Sequence, residues 1–199
     1  FNIETIETEN FKIVDSKSDN SCFYKSFINS ICDNMIIEEE MSRIIQTLCY
    51  NWVINNRDKY IEEFNCKVEY LVYLTHNIYI EEYKNVYNNY AEDYIENVQE
   101  RWGGLLEQIA LSEIFKISIF IYTPLKYDIN KNKIYVGKIQ NNKPHKGVRY
   151  KLLQQIGLKY YNNNPICLLW KDGKYGAHYM TLKIDNNYKI NNKGIPIKK

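Results

Sequence analysis

The chain has 199 residues, of which 45% are hydrophobic and 25% are charged, and its formal net charge is +2. This length suits one domain with a core large enough to need no metal or disulfide, and the aromatic content excludes disorder over most of the chain. No run of 18 or more apolar residues occurs, which excludes a transmembrane helix in this sequence.

The first half of the chain is predicted to be mostly helical. It opens without the basic and apolar regions of a secretory signal peptide and without an initiator Met, so we expect a piece of a longer protein. Residues 11–14 alternate as a short strand does, and a polar turn follows over residues 16–21. The spacing of apolar residues then predicts helices over residues 22–31, 38–60, 68–74 and 79–98.

The second half changes from helix to strand. Apolar spacing predicts a helix over residues 105–115, and β-branched or alternating runs predict strands over residues 117–122, 133–136, 166–170 and 175–184. The last two strands flank an Asp-Gly turn, which is typical of a β-hairpin. Helices followed by strands indicate an α+β domain with a mostly antiparallel central sheet, which we assign to residues 1–184. The Asn- and Lys-rich residues 185–199 predict a tail, a linker or a frayed end.

The chain contains five cysteines, which are Cys22, Cys32, Cys49, Cys66 and Cys167. Their odd number and the lack of C-x-x-C spacing argue against a disulfide framework and a zinc site, so we expect no metal. No glycine-rich nucleotide-binding pattern occurs, and we expect no cofactor. Reduced thiols are typical of the cytosol, and one of them can still be a catalytic nucleophile.

Charge is unevenly distributed along the chain. Residues 61–100 carry nine acidic and two basic residues, whereas residues 123–199 carry sixteen basic and three acidic residues. A basic half can attract nucleic acid or an acidic surface. The lysines are scattered among Asn and Gly residues, which favours solubilised loops, so we expect no nucleic-acid partner and no membrane partner. No sequence feature indicates oligomerisation, and a monomer is expected.

Cys22 is the strongest candidate for a nucleophile. It lies where a polar loop meets a predicted helix N-terminus, where the helix dipole and free N–H groups stabilise a thiolate and can bind an oxyanion. A nucleophilic cysteine needs a base, usually a histidine. His76 and His145 lie in predicted surface breaks, whereas His178 begins a predicted strand among small residues. The simpler alternative is that Cys22 is an inert core residue and His178 a structural one.

Three short motifs, in the same chain order, resemble those of the OTU (ovarian tumour) cysteine proteases. The family's cysteine motif, D-G-(N/D)-C-L-(F/Y)-x-(A/S), is similar to Asp19-Asn20-Ser21-Cys22-Phe23-Tyr24-Lys25-Ser26. Its tryptophan-glycine motif is similar to Trp102-Gly103-Gly104, followed by Glu107 and then by Ala110-Leu111-Ser112. Its histidine motif resembles Gly176-Ala177-His178-Tyr179.

The resemblance implies a papain-like α+β fold, in which a central sheet is flanked by helices and the catalytic cysteine begins a helix. It implies thiol-dependent hydrolysis of the isopeptide or peptide bond after the C-terminal Gly of ubiquitin or a ubiquitin-like modifier. Cys22 would be the nucleophile and His178 the general base and acid, while Asp19 would shape an oxyanion loop with Asn20 and Ser21. The expected partners are therefore ubiquitin and polyubiquitin.

The sequence departs from the family pattern in the loop and after the histidine. Asn20 stands where the family has Gly, and Asn tolerates the left-handed backbone that Gly adopts. Met180 stands where many members have Asp or Asn, and a thioether cannot accept a strong hydrogen bond from the histidine. The candidates for the third member of a triad are Asp15, Asp172 and Thr181. A Cys–His dyad without a third member is the remaining alternative.

The groove for the substrate tail is predicted between the cysteine loop and the histidine strand, beside Trp102, Gly103, Ala177 and Tyr179. For Trp102, packing in the core is the simpler interpretation. The alternative function is a catalytically impaired module of the same fold, which would bind ubiquitin without cleaving it.

Composition also bears on the source of the chain. It has 22 lysines but 4 arginines, and Asn, Ile and Tyr are abundant, which indicates AT-rich coding. Together with the resemblance, this predicts an enzyme of a virus or an intracellular microbe that acts in the host cytosol.

Overall fold

The structure is a computed structural model that describes residues 5–7, 10–16, 19, 21–32, 38–75, 90–91, 94–95, 103–124, 149–173 and 176–199. The strand predicted at 133–136 lies outside the described residues. The helix predicted over 79–98 is described only at 90–91 and 94–95, which are helical. Within the described residues, no helix has the length and apolar character needed to cross a membrane.

The regular elements with described bounds are four α-helices, ten strands and two short 3₁₀ helices. The α-helices are α1 (Cys22–Ile31), α2 (Glu38–Asn55), α3 (Val68–Thr75) and α4 (Leu105–Phe115). The strands are β1 (Thr5–Glu7), β2 (Phe11–Asp15), β3 (Tyr60–Ile61), β4 (Cys66–Lys67), β5 (Ile119–Pro124), β6 (Arg149–Ile156), β7 (Ile166–Gly173), β8 (Gly176–Ile184), β9 (Tyr188–Ile190) and β10 (Pro196–Lys198). The 3₁₀ helices are Glu62–Phe64 and Leu158–Tyr160.

Six strands form a mixed sheet in the order β1-β6-β5-β7-β8-β2. β5 and β7 run parallel, and the other neighbouring pairs are antiparallel. β2, near the start of the chain, therefore lies at one edge of the sheet beside β8, near the end of the chain. This arrangement confirms the predicted α+β class and the mostly antiparallel sheet, and it confirms the predicted hairpin of β7 and β8.

The hydrophobic core has two parts, one on each face of the sheet. On one face, α1 packs on β7 and β8, and α2 packs on α1 and α4. Successive residues of a strand point to opposite faces, so the alternation along β8 separates the two parts. Tyr179 packs with Phe23 in the core beside the helices, whereas Met180 and Leu182 pack with Phe11 on the other face.

The observed helices follow the apolar spacing closely. α1 and α4 have the predicted bounds, and α3 extends one residue further than predicted. α2 ends at Asn55 rather than at residue 60. Asn56 accounts for the earlier end, because its side-chain Nδ2 donates to the Trp52 carbonyl at 2.8 Å and its own carbonyl accepts the Lys59 N–H at 2.9 Å. The chain then turns into β3.

β6 is a strand that the sequence did not predict. Ile121 of β5 pairs with Gln154, and Tyr122 pairs with Leu152, so Leu153 has no partner in the register. The Leu153 side chain is 47% exposed. A bulge of one residue breaks the alternation of apolar and polar residues, which removes the pattern by which a strand is predicted from sequence.

Residues 185–199 form a hairpin of β9 and β10, where the sequence predicted a linker or a frayed end. Ile190 is 2% exposed and packs with the core on the face of the sheet away from the helices. Two tyrosines outside the hairpin bind its backbone. The Tyr122 hydroxyl donates to the Gly194 carbonyl at 2.8 Å, and the Tyr161 hydroxyl donates to the Ile190 carbonyl at 2.6 Å. Composition could not show this docking, because most of its hydrogen bonds use backbone carbonyls. The end of the domain at residue 184 stays a prediction.

We expect Ile190→Ala to lower the free energy of unfolding by roughly 2 to 5 kcal/mol, because it empties a buried core position. The matched change Ile197→Ala lies on the partner strand, where the side chain is 37% exposed, and should cost less than about 1 kcal/mol. Urea denaturation of both variants measures the difference. Small and equal losses would contradict the docking of the hairpin on the core.

Candidate active site

Asp19 shapes the backbone that leads into α1. Its carboxylate Oδ1 accepts hydrogen bonds from the Ser21 backbone N–H at 2.9 Å and from the Ser21 hydroxyl at 2.6 Å. Its carbonyl accepts the Cys22 N–H at 3.1 Å. These bonds form a tight turn that presents Cys22 as the first residue of α1. Asn20, the remaining residue of the predicted oxyanion loop, lies outside the described residues.

A buried lysine fastens this turn to α2. Lys25 Nζ lies 2.6 Å from Asp19 Oδ2 and 2.7 Å from Glu39 Oε2, and the Lys25 side chain is 2% exposed. Burial raises the pKa of Asp19, but the hydrogen bonds from Lys25 and Ser21 outweigh burial, so the pKa is lowered overall. Asp19 is therefore ionised at neutral pH, and its charge is paired with that of Lys25.

His178 is oriented by a carboxylate from the neighbouring strand. His178 Nε2 lies 2.7 Å from Asp15 Oδ1. Asp15 is the last residue of β2 and pairs with Met180 of β8, so its side chain projects from the same face as those of Met180 and of His178, two residues earlier. The pairing of the two strands thus supplies the hydrogen-bond acceptor that Met180 lacks.

The pKa of His178 is raised from 6.5 to about 9. The hydrogen bond to Asp15 is the largest cause and the contact with Cys22 the next, and together they outweigh the burial of the ring. The other ring nitrogen, Nδ1, has no hydrogen-bond partner among the described residues. An imidazolium is therefore favoured at neutral pH.

Cys22 contacts the strand that carries the histidine. The Tyr179 backbone N–H donates to Cys22 Sγ at 3.5 Å, and Cys22 is 1% exposed. A backbone N–H is a stronger partner for a thiolate than for a thiol. The end of β2, the start of α1 and the start of β8 thus bring Asp15, Cys22 and His178 into one site. The catalytic roles of these residues stay predictions.

The other candidates for a third triad member differ in position. The Thr181 hydroxyl donates to a carbonyl of α1 at 2.7 Å. The side chain of Asp172 lies outside the described residues. Met180 is fully buried in the core, which accounts for an apolar side chain at that position. Among the described side chains, Asp15 is the candidate in contact with His178.

The predicted groove residues differ in what they contact. A Cβ added to Gly103 would lie 2.0 Å from Phe23 Cδ1, so the close approach of this backbone to the ring requires glycine. Tyr179 is 7% exposed and its ring packs on Phe23 with 5.1 Å between centroids, so a contact with substrate would come from its backbone. Trp102 and the side chain of Ala177 lie outside the described residues. The groove stays a prediction.

Two residues that support the site were missed by the sequence analysis. Lysines are rarely buried, and nothing in the helical pattern indicated that Lys25 lies between two carboxylates. Gln108 of α4 is 3% exposed, and its Nε2 donates to the Tyr179 hydroxyl at 3.0 Å. A usable signal existed for Gln108, because a polar residue within an otherwise apolar helix face needs a hydrogen-bond partner.

Comparison with known proteins gives structural but no sequence matches. No protein-family model and no curated protein matches the sequence. The viral OTU domain protease from Farallon virus aligns at 16% identity over 92% of this chain and 90% of its own, with a TM-score of 0.50. The viral OTU domain protease from Qalyub virus aligns at 14% identity over 98% of this chain and 91% of its own, also with a TM-score of 0.50. The chain therefore has the fold of the OTU domain proteases, as its motifs predicted.

We expect Asp15→Asn to lower the pKa of His178 from about 9 toward 6.5, because the hydrogen bond to the Asp15 side chain is the largest cause of the rise. NMR titration of the histidine rings, with His178→Gln to assign the signal, measures the midpoint. Because the folded-state pKa is raised, the stabilisation from protonated His178 is complete below about pH 6.5 and is lost as the pH rises through about 9. Wild type should lose more stability over that range than Asp15→Asn.

The control for this experiment is Asp172→Asn, which changes a competing candidate for the third triad position. It should keep the His178 midpoint near 9. A midpoint that falls in Asp172→Asn but not in Asp15→Asn would contradict the assignment of Asp15.

Proposed function

We propose that the chain is a cysteine-type deubiquitinase that hydrolyses the isopeptide or peptide bond after the C-terminal glycine of ubiquitin or a ubiquitin-like modifier. The observation that carries the proposal is the convergence of Asp15, Cys22 and His178 from three separate segments. The OTU fold and the three motifs support the class of substrate. Reduced cysteines suit the cytosol, where we place the activity of a monomeric enzyme without a cofactor.

The first step forms a thioester. The Cys22 thiolate attacks the carbonyl carbon of the terminal glycine, and a C–S bond forms as negative charge develops on the carbonyl oxygen. The tetrahedral intermediate then collapses, the C–N bond breaks, and His178 Nδ1 gives its proton to the leaving amine. Asp15 holds Nε2 during this step, so Nδ1 is the nitrogen available to the reacting atoms.

The second step hydrolyses the thioester. Neutral His178 takes a proton from a water molecule as the water oxygen attacks the thioester carbonyl carbon. Collapse of the second tetrahedral intermediate breaks the C–S bond and releases ubiquitin with a C-terminal carboxylic acid, which gives its proton to the solvent and becomes a carboxylate. The thiolate of Cys22 and the imidazolium of His178 are thereby restored.

The oxyanion needs N–H donors, and two of the predicted donors are already engaged. The Ser21 and Cys22 N–H groups both donate to Asp19. We therefore expect the substrate carbonyl to replace at least one of these bonds when it enters the site. Asp19 stays in place when a bond is released, because Lys25 pairs with the other carboxylate oxygen.

The acidic part of the chain is the proposed binding surface for the body of ubiquitin. The recognised face of ubiquitin has a basic rim, so an acidic surface complements it, and exposed tyrosines are good interface residues. Residues 61–100 carry a net charge of −7, from nine acids and two bases. Within the described part, Tyr70 and Leu74 lie one turn apart on α3 and are 43% and 58% exposed. Tyr90 is buried, so helix packing accounts for it instead.

A catalytically impaired module that binds ubiquitin is the second candidate. Two observations favour this candidate. Cys22 is 1% exposed, and the amides expected to hold the oxyanion are engaged with Asp19. Such a module would bind ubiquitin equally well before and after the removal of the Cys22 sulfur.

A ubiquitin probe with a thiol-reactive group at its C-terminus tests the proposal. Wild type should form a covalent adduct, visible by mass spectrometry, and Cys22→Ala should form none. Cys32→Ala is the matched control, because this free cysteine directly follows the same helix, and it should keep the adduct. His178→Gln should slow adduct formation by roughly 100-fold or more, since it removes the proton acceptor for the thiol.

Ubiquitin dimers of defined linkage then distinguish a general enzyme from a selective one. Absence of an adduct, with ubiquitin binding retained in calorimetry, would support the binding module instead. Absence of both adduct and binding with ubiquitin, but an adduct with another ubiquitin-like probe, would reassign the substrate.

A further inference from the structure

Ser16 lies at the junction of the three segments that form the site. It directly follows Asp15, where β2 ends, and it is 6% exposed. Ser16 Oγ lies 3.1 Å from the Tyr179 carbonyl oxygen on β8 and 3.1 Å from Ser26 Oγ on α1. It also lies 3.4 Å from the Cys22 carbonyl oxygen. One buried hydroxyl therefore contacts both α1 and β8 from the end of β2.

The directions of these hydrogen bonds follow from the donors that are present. The Tyr179 carbonyl can only accept, and the single Ser16 hydroxyl proton has its shortest carbonyl acceptor there. Ser26 then donates its own proton to Ser16 Oγ. The Ser26 carbonyl accepts the Thr181 hydroxyl at 2.7 Å. The two serine hydroxyls thus form a short buried chain from Ser26 Oγ through Ser16 Oγ to the Tyr179 carbonyl, in which one hydroxyl polarises the next, and the Thr181 hydroxyl makes a separate bond between β8 and the backbone of α1.

This chain continues the attachment of β2 where the strand ladder stops. β2 pairs with β8 only as far as Asp15, opposite Met180. Beyond that residue, the Ser16 hydroxyl rather than a ladder bond joins the chain to β8. The acceptor of this hydroxyl is the carbonyl of Tyr179, which is the residue after His178. The backbone N–H of Tyr179 contacts the Cys22 sulfur. Ser16 is therefore next to the Asp15 carboxylate in the chain and hydrogen-bonded to the residue whose N–H contacts the thiol.

We propose that Ser16 is a positioning residue of the active site, whose hydroxyl sets the separation of Asp15, His178 and Cys22 by joining β2 to β8 and α1. It acts through these residues and does not contact the substrate. The kinetic consequences rest on the proposed function, but the geometric consequence can be measured without any substrate.

Ser16→Ala and Ser118→Ala form a matched pair for the test. Both serines are buried, and each donates to a distant backbone carbonyl, which for Ser118 is that of Gly157 at 2.8 Å. Both variants should therefore lose similar stability. Only Ser16→Ala should lower the NMR titration midpoint of His178, by about 0.5 pH unit or more, because a displaced Asp15 carboxylate holds the proton less well. Ser118→Ala should leave the midpoint unchanged.

Turnover of a ubiquitin substrate adds a second measurement. Ser16→Ala should lower kcat by about tenfold or more and keep KM within about twofold, since a small misplacement of catalytic groups slows the chemical step. Ser118→Ala should keep both values. Ser26→Ala removes one link of the chain and should give a smaller change of the same sign. Ser16→Thr keeps the hydroxyl and should restore the midpoint toward the wild-type value.

An unchanged His178 midpoint in Ser16→Ala, or an equal fall in Ser118→Ala, would overturn the positioning role. If Ser16→Ala does not fold, Ser26→Ala replaces it in the test. The His178 titration midpoint must then fall in Ser26→Ala and stay unchanged in Ser118→Ala. If wild type cleaves neither ubiquitin nor a ubiquitin-like modifier but the midpoints behave as expected, the proposed function fails and the positioning role holds.

Discussion

The pairing of β2 with β8 is the constraint on which the rest of the site depends. It joins residues near the two ends of the chain, and its register places the Asp15 carboxylate diagonally across from the His178 imidazole. A slip of one residue would turn Asp15 to the opposite face of the sheet, among the side chains that pack under α1. Phe11 and Ile13 prevent this slip, because they share the face of Asp15 and are fully buried there. The apolar alternation of a five-residue edge strand thus fixes the contact that raises the pKa of His178.

The charges around Cys22 are arranged so that the sulfur meets positive rather than negative groups. The first turn of α1 carries no acidic side chain, so the positive end of the helix dipole is left for a thiolate. Asp19 is the nearest carboxylate in sequence, and by itself it would oppose a second negative charge close by. The buried ammonium group of Lys25 offsets the charge of Asp19 and also pairs with the Glu39 carboxylate. A buried ion pair adds little net stability, but the loss of one partner would leave a charge unpaired, which makes the geometry specific. On the other side of the sulfur, Asp15 maintains the imidazolium of His178.

What could be predicted from the sequence was local, and what could not be predicted depended on contacts between distant segments. The helices α1 and α4 follow from apolar spacing, and Cys22 and His178 follow from short motifs whose residues are adjacent in the chain. Asp15 was one of three candidates, because periodicity shows that a strand exists and does not show which strand it pairs with. β6 was missed because a bulge interrupts its alternation, and the burial of Lys25 was missed because its partners come from two other segments. The docked hairpin at residues 185–199 was missed for the same reason, since its composition resembles that of a free tail.

The described site is closed around its sulfur, and the proposed function therefore requires that one of its contacts give way to a substrate. Behind α1, Phe23 is held between Tyr179 and the backbone of Gly103, which leaves no room for the helix to retreat. The turn before α1 is held instead by hydrogen bonds to Asp19, and a substrate carbonyl can replace such a bond without disturbing the packing. In the ground state this replaces one neutral carbonyl acceptor of the Cys22 N–H with another, at little net change in free energy. In the proposed reaction, the substrate oxygen becomes an anion as the thiolate attacks, and the same N–H then binds it more strongly, so the gain would arise in the transition state, where it would accelerate the reaction.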